Sequence, residues 1–185
     1  MVKLTLIKRL YFVWFQSQFR RKWMFKLNSC LPKLFHRQAK IQVYLSLSDP
    51  YSYILAQVLP ELSTRFNVKF ELLLMYQNSE INYASKKWRA WAIKDANQFA
   101  HCYGLEPIEN APELRSLVTG QQLWQLDEKT PENALKIFHQ TWKNQFTEYF
   151  SASTPVINFQ IKNQQRQFRQ GHYQSASFYF GGEWY

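Results

Sequence analysis

SLSDPYSYILAQVL, residues 46–59, joins a strand-like run to a helix-like run and sets an Asp directly before a Pro. Upstream, IQVYLSL (41–47) is short, β-branched and partly alternating, the pattern of a strand. Downstream, PYSYILAQVLPELSTRF (50–66) brings Tyr53, Ala56, Leu59 and Leu62 near one face of a helix, which Pro60 kinks or breaks. VKFELLLMY (68–76) reads as the next strand. A unit this short makes two neighbouring parallel strands with a right-handed crossover, so the fold class is α/β. At the joint, a residue before proline is held extended, which is the backbone state of an N-cap, and proline suits the first helical position. Asp49 therefore caps the helix, a role worth about 1 kcal/mol.

Outward from this joint the chain turns helical. ASKKWRAWAIKDANQFAHCYG (84–104) repeats Ala84, Trp88, Trp91, Asp95, Phe99 and Tyr103 at helical spacing, an apolar stripe, and Gly104 is its stop. Asp95 is unusual on such a stripe: it either faces a ligand or is a buried carboxylate satisfied by a backbone N–H or a Lys. After PIENAP, ELRSLVTGQQLWQL (113–126) and TPENALKIFHQTWKNQFTEYF (130–150) make two more helices, the second opened by Thr130, Pro131 and Glu132. Their aromatic stripes read as core. Thr154 and Pro155 open a further helix that runs to about Gln170 and stops at Gly171. SASFYF is then a strand, Gly181–Gly182 a tight turn, and EWY the start of a partner strand.

The 185 residues, 46% apolar and 18% aromatic, bury one core or one core with an appendage. The net charge of +10 suggests nucleic acid only until it is mapped. Residues 1–40 hold ten basic side chains (Lys3, Lys8, Arg9, Arg20, Arg21, Lys22, Lys26, Lys33, Arg37, Lys40) and no acidic one. From Ile41 onward 13 basic and 13 acidic residues cancel, so no specific nucleic-acid binding is expected of the body. Within the appendage Leu4, Ile7, Leu10, Tyr11 and Trp14 follow helical spacing, although the pattern degrades beyond Phe19. Aromatic and basic residues interleaved on a helix suit an anionic membrane face, or else the helix packs on its own domain or a protein partner. The longest apolar run, LYFVWF, is too short to span a bilayer or to form a signal core, so the expected location is cytoplasmic, at most peripheral on the membrane.

Cys30 and Cys102 lie in separate segments with no CxxC, in keeping with a reducing compartment. His36, His101, His139 and His172 lack metal-ligand spacing and read as surface or packing residues. GxxxxGK, GxGxxG and GxSxG motifs are absent.

Three separated segments, in order, carry a resemblance: the strand leading into SDPYSY, AIKDANQFAHCYGLEP (92–107) and GHYQSASFYFGGEWY (171–185). Over residues 41–185 the chain resembles the DsbA-type thioredoxin-fold group that includes 2-hydroxychromene-2-carboxylate isomerases and kappa-class glutathione transferases. The resemblance implies a thioredoxin-like fold with a helical insertion at about 80–150, and relatives that use glutathione. In that group the position before the Pro is a Cys or a Ser that contacts the reactive sulfur. Here it is Asp49, and Ser52 stands where a redox member carries its second Cys. Neither position has sulfur, which excludes dithiol exchange there. A carboxylate at that point also repels an arriving thiolate. The family's cis-Pro aligns with Ala176, where a cis bond costs about 2.5–4 kcal/mol, so this loop is expected to be trans and differently shaped. The chain stops at Tyr185, before the segment and last helix that complete the relatives. One sheet face is then expected to be partly uncovered, an apolar patch that invites a partner, the appendage or aggregation; a homo-oligomer is a separate expectation.

Two function classes follow. One is a non-catalytic thioredoxin-fold protein that binds a partner or a membrane surface. The other is a glutathione-dependent isomerase or transferase. By the resemblance its catalytic candidates are Ser48, Asp49 and Ser52, with a hydroxyl from Ser48 or Ser52. Its glutathione-binding candidates are Lys86, Lys87, Ser175 and Ala176.

Overall fold

The computed structural model describes residues 39–66, 68–76, 86–146 and 155–185. The expected appendage helix, Cys30, His36, Ala84 and Thr154 lie outside the described residues. Strand β1 (Ala39–Leu45) leads through a turn at Leu47–Ser48 into helix α1 (Pro50–Arg65), and β2 (Val68–Leu74) returns. The two strands are parallel, with Val43 opposite Leu72 and Leu45 opposite Leu74. Pro60 neither breaks α1 nor ends it, since the helix continues to Arg65.

Three helices follow: α2 (Lys86–Tyr103), α3 (Leu114–Leu126) and α4 (Pro131–Trp142). Helix α5 (Pro155–Arg169) then leads to the antiparallel pair β3 (Ser177–Phe180) and β4 (Glu183–Trp184), giving a four-stranded sheet in the order β2-β1-β3-β4. Gly181 and Gly182 both take positive φ (63° and 94°), which is why a two-residue turn between right-twisted strands carries glycine at both positions. This mixed sheet flanked by helices is the thioredoxin-like, DsbA-type architecture expected.

Alternation along β1 and β2 splits the core in two. Val43, Leu45, Leu72 and Leu74 point to one face, where Tyr53, Ala56 and Leu59 of α1 and Trp124, Ile137, Phe138 and Trp142 of α3 and α4 close over them. Tyr44, Leu73 and Met75 point to the other. That second face was expected to be partly uncovered, but all three residues are buried. Helix α5 lies over it, with Asn163 Nδ2 donating to the Leu74 carbonyl at 2.7 Å and Arg166 forking onto Glu71 at 3.1 and 3.2 Å. Among the described side chains of α5 the buried ones are polar, Gln160, Asn163 and Gln167, a signature that hydrophobic periodicity does not register.

Two further expectations are corrected. The buried line of α2 is Ala92, Ala96 and Ala100, whereas Trp91, Phe99 and Tyr103 of the aromatic stripe are exposed. Small alanines let α2 approach its neighbour closely, and the adjacent aromatic line is left outside. Helix α4 ends at Trp142, well short of Phe150. Asn144 there takes φ 52°, and its Oδ1 accepts from the Glu113 N–H at 2.9 Å, so the chain leaves the helix to bind the start of α3.

Candidate functional site

The joint between β1 and α1 is built as the local sequence dictates. Asp49 is extended (φ −94°, ψ 120°) and its N–H donates to the Ser46 carbonyl at 3.1 Å. Its carboxylate accepts from the Tyr51 N–H at 3.3 Å and the Ser52 N–H at 3.1 Å, as an N-cap should. Two hydroxyls add to this: Ser52 Oγ donates at 2.8 Å, and Ser175 Oγ, from the loop before β3, donates at 2.7 Å. Ser52 Oγ in turn accepts from the Ser46 N–H at 3.1 Å. Asp49 is 1% exposed and Ser52 fully buried.

This arrangement assigns the hydroxyl proton of Ser52 to Asp49 and one of its lone pairs to Ser46. A nucleophile or thiolate-binding hydroxyl must reach its ligand, and Ser52 has no exposed surface with which to do so. Asp49 already receives four donors and is almost wholly buried, so a bound molecule has no open approach to its carboxylate. Beside Ser175, Ala176 adopts φ 55°, a left-handed conformation unusual for a residue with a Cβ, and no cis peptide occurs among the described residues. The loop is thus trans and differently shaped from a cis-proline loop.

Of the residues singled out by sequence, the structure brings Asp49, Ser52 and Ser175 into one hydrogen-bonded cluster with Ala176 alongside. Ser48 is partly exposed and lines a separate cavity of about 300 Å³ at the carboxyl ends of β1 and β2, with Leu47, Leu74, Leu117, Val118 and Arg89. Such strand ends are where open α/β sheets hold ligands. Lys87 is exposed on α2 and does not line this cavity, and the side chain of Lys86 lies outside the description.

Asp95 has a partner that spacing did not indicate. Tyr51 Oη donates to its Oδ2 at 2.6 Å, a phenol rather than the backbone N–H or Lys expected. Burial and this bond push the Tyr51 phenol above its ordinary range. Tyr51 is adjacent to the cap, so the pair ties α2 to the head of α1. No local signal pairs residues 44 positions apart.

A second polar cluster, also missed, sits behind α1. Glu106 binds Lys143 Nζ at 2.7 Å and His139 Nε2 at 2.7 Å and accepts from Tyr53 Oη at 3.3 Å. The Lys143 hydrogen bond, followed by that of His139, holds the Glu106 carboxyl below its usual range. Burial and Glu106 push the Tyr53 phenol up. Gln57 clamps the Glu106 backbone from both sides, donating to its carbonyl at 3.1 Å and accepting from its N–H at 2.8 Å. These charges neutralise one another along an open groove of about 530 Å³ that Lys136 and Glu132 also line. Among the described residues no group of three His, Cys, Asp or Glu could hold a metal ion, and no helix is long and apolar enough to cross a membrane.

No family profile matches the chain, and no curated protein matches it. Among solved structures, it is similar to 2-hydroxychromene-2-carboxylate isomerase, with a TM-score of 0.57 and 12% identity over 79% of this chain and 87% of that one. At that identity the likeness speaks for architecture and leaves the chemistry of each turn to its own residues. The described chain has the DsbA-type thioredoxin-like fold, with a buried aspartate at the turn between β1 and α1.

Proposed function

We propose that this protein is a non-catalytic member of the DsbA-type fold that binds an anionic membrane surface, its turn serving as a structural lock. The observation that carries the first half is the saturation of Asp49 by Ser52, Ser175 and two backbone N–H groups. A sulfur ligand at this turn would have to displace Ser175 and share the space with a carboxylate. The residues of the turn therefore do not fit a glutathione thiolate. Support for the second half is the charge of residues 1–40: of its ten cations Lys40 pairs with Glu71 at 3.2 Å, and the other nine stand in a stretch with no acidic residue, each worth about 1 kcal/mol near an anionic leaflet. Co-sedimentation of the full chain with phosphatidylserine vesicles tests it. Binding should weaken as salt rises and when Arg20, Arg21 and Lys22 are changed to Gln. Salt-insensitive sedimentation, unaffected by those changes, would mean that the appendage packs on protein.

One observation favours a second reading, a glutathione-dependent isomerase or transferase: the Ser48 hydroxyl shares a cavity with the Arg89 side chain. Calorimetric titration with glutathione separates the two. Micromolar binding abolished by Ser48→Ala would establish the enzyme reading, and an absence of heat would leave the binding protein.

A further inference from the structure

Helix α2 turns outward what a core helix would hide. Trp91, Phe99 and Tyr103 are 57%, 48% and 74% exposed. At spacings of eight and four they fall along one line of the helix, about 18 Å from first to last. Lys87 and Lys94, four before and three after Trp91, are exposed beside them, and Gln98 and His101 extend this polar edge. The one acidic residue of the helix, Asp95, is taken by Tyr51. The face therefore presents three aromatic rings flanked by cations, with its single carboxylate engaged.

We propose that this face of α2 is a docking surface for an anionic lipid bilayer, an inference that rests on the surface-binding reading above and gives it a second point of contact. The composition selects the occupant. Trp and Tyr have an apolar body and a polar tip that fit the headgroup boundary, while adjacent lysines meet lipid phosphate and carboxylate. A second copy of the chain would set Lys87 and Lys94 against like charges or neutral rings, the one carboxylate of this face, Asp95, being held by Tyr51. The ten cations of residues 1–40 carry the same sign, so one anionic plane satisfies both regions.

Cys102 is exposed on the same helix, four residues from Gln98 and three from Phe99, and it provides a reporter. The full chain carrying Cys30→Ser is labelled at Cys102 with an environment-sensitive thiol dye and mixed with vesicles of phosphatidylcholine alone or with phosphatidylserine. The emission should shift to the blue only with phosphatidylserine. Changing Lys87 and Lys94 together to Gln should weaken that partitioning roughly thirtyfold at low salt, while Trp91→Ser should reduce the shift. Sedimentation without any dye shift would overturn this inference and leave the appendage as sole anchor. Neither sedimentation nor shift would remove both readings. A shift that needs no vesicles and grows with protein concentration would identify a second copy as the occupant and overturn the proposal.

Discussion

Ser175 donates its hydroxyl to Asp49 across 2.7 Å, binding the loop before β3 to the head of α1 although 126 positions separate the two residues. The carboxylate, itself almost wholly buried, thereby joins two jobs, helix cap and cross-link. A reactive group would need the opposite: an open approach and an uncommitted lone pair. Several measurable consequences follow from which side of that contrast this turn lies on.

Replacing Asp49 with Ala removes the cap and leaves the Ser52 and Ser175 hydroxyls without their acceptor, so the loss should be about 3 kcal/mol. Ser175→Ala alone should cost about 1 kcal/mol. Urea unfolding of both single variants and the double variant decides the linkage. Strict additivity would show that Ser175 and Asp49 do not act on one another.

Insulin reduction should show no turnover by the full chain, because positions 49 and 52 lack sulfur and Cys102 is exposed at the far end of α2. Activity that persists after Cys30 and Cys102 are both changed to Ser would contradict the chemistry of the turn.

Gly120 on α3 faces α4 so closely that a Cβ would overlap Thr141 Oγ1 and lie 3.3 Å from Leu47 Cδ1. Alanine normally gains about 1 kcal/mol over glycine inside a helix. Here Thr141 cannot yield freely, since it is buried and its hydroxyl donates to the Ile137 carbonyl at 2.7 Å. Overpacking of this kind costs about 1–3 kcal/mol, so Gly120→Ala should be net destabilising. A raised melting temperature would show that the two helices have room to part.

Acid should weaken the fold in a defined direction. Burial alone would raise the Glu71 carboxyl, but the hydrogen bonds of Arg166 and Lys40 outweigh it and hold the group below the ordinary 4.5. Glu106 is lowered too, chiefly by Lys143. A carboxyl with a depressed folded pKa contributes stability that is present above pH 4.5 and lost as pH falls through the folded value. His172, lowered by burial and stacked 4.5 Å from Trp184, acts in the same sense from 6.5 downward, because the unfolded chain takes up its proton first. Denaturant midpoints across pH 3–7, an interval of about two units on either side of 5, should fall toward acid, and Glu71→Gln should flatten the lower limb. An unchanged limb would remove Glu71 from the account.

Much of the fold was legible because it is local. The Asp-Pro cap, the two glycine stops at 104 and 171 and the Gly181–Gly182 turn each depend on residues within a few positions. The parallel β1–α1–β2 unit followed from two short apolar runs and the helix between them. Tertiary structure decided what those local rules leave open. The second partner of Asp49 and the phenol on Asp95 come from distant segments, and chain spacing carries no record of such meetings. Helix α4 stops at Trp142, and just beyond it Asn144 accepts from the distant Glu113 N–H. Helix α2 offers two adjacent lines to its neighbours, one of alanine and one of aromatic rings. Hydrophobicity alone favours burying the rings, yet the alanines are the buried line, the choice that small side chains allow where helices pack.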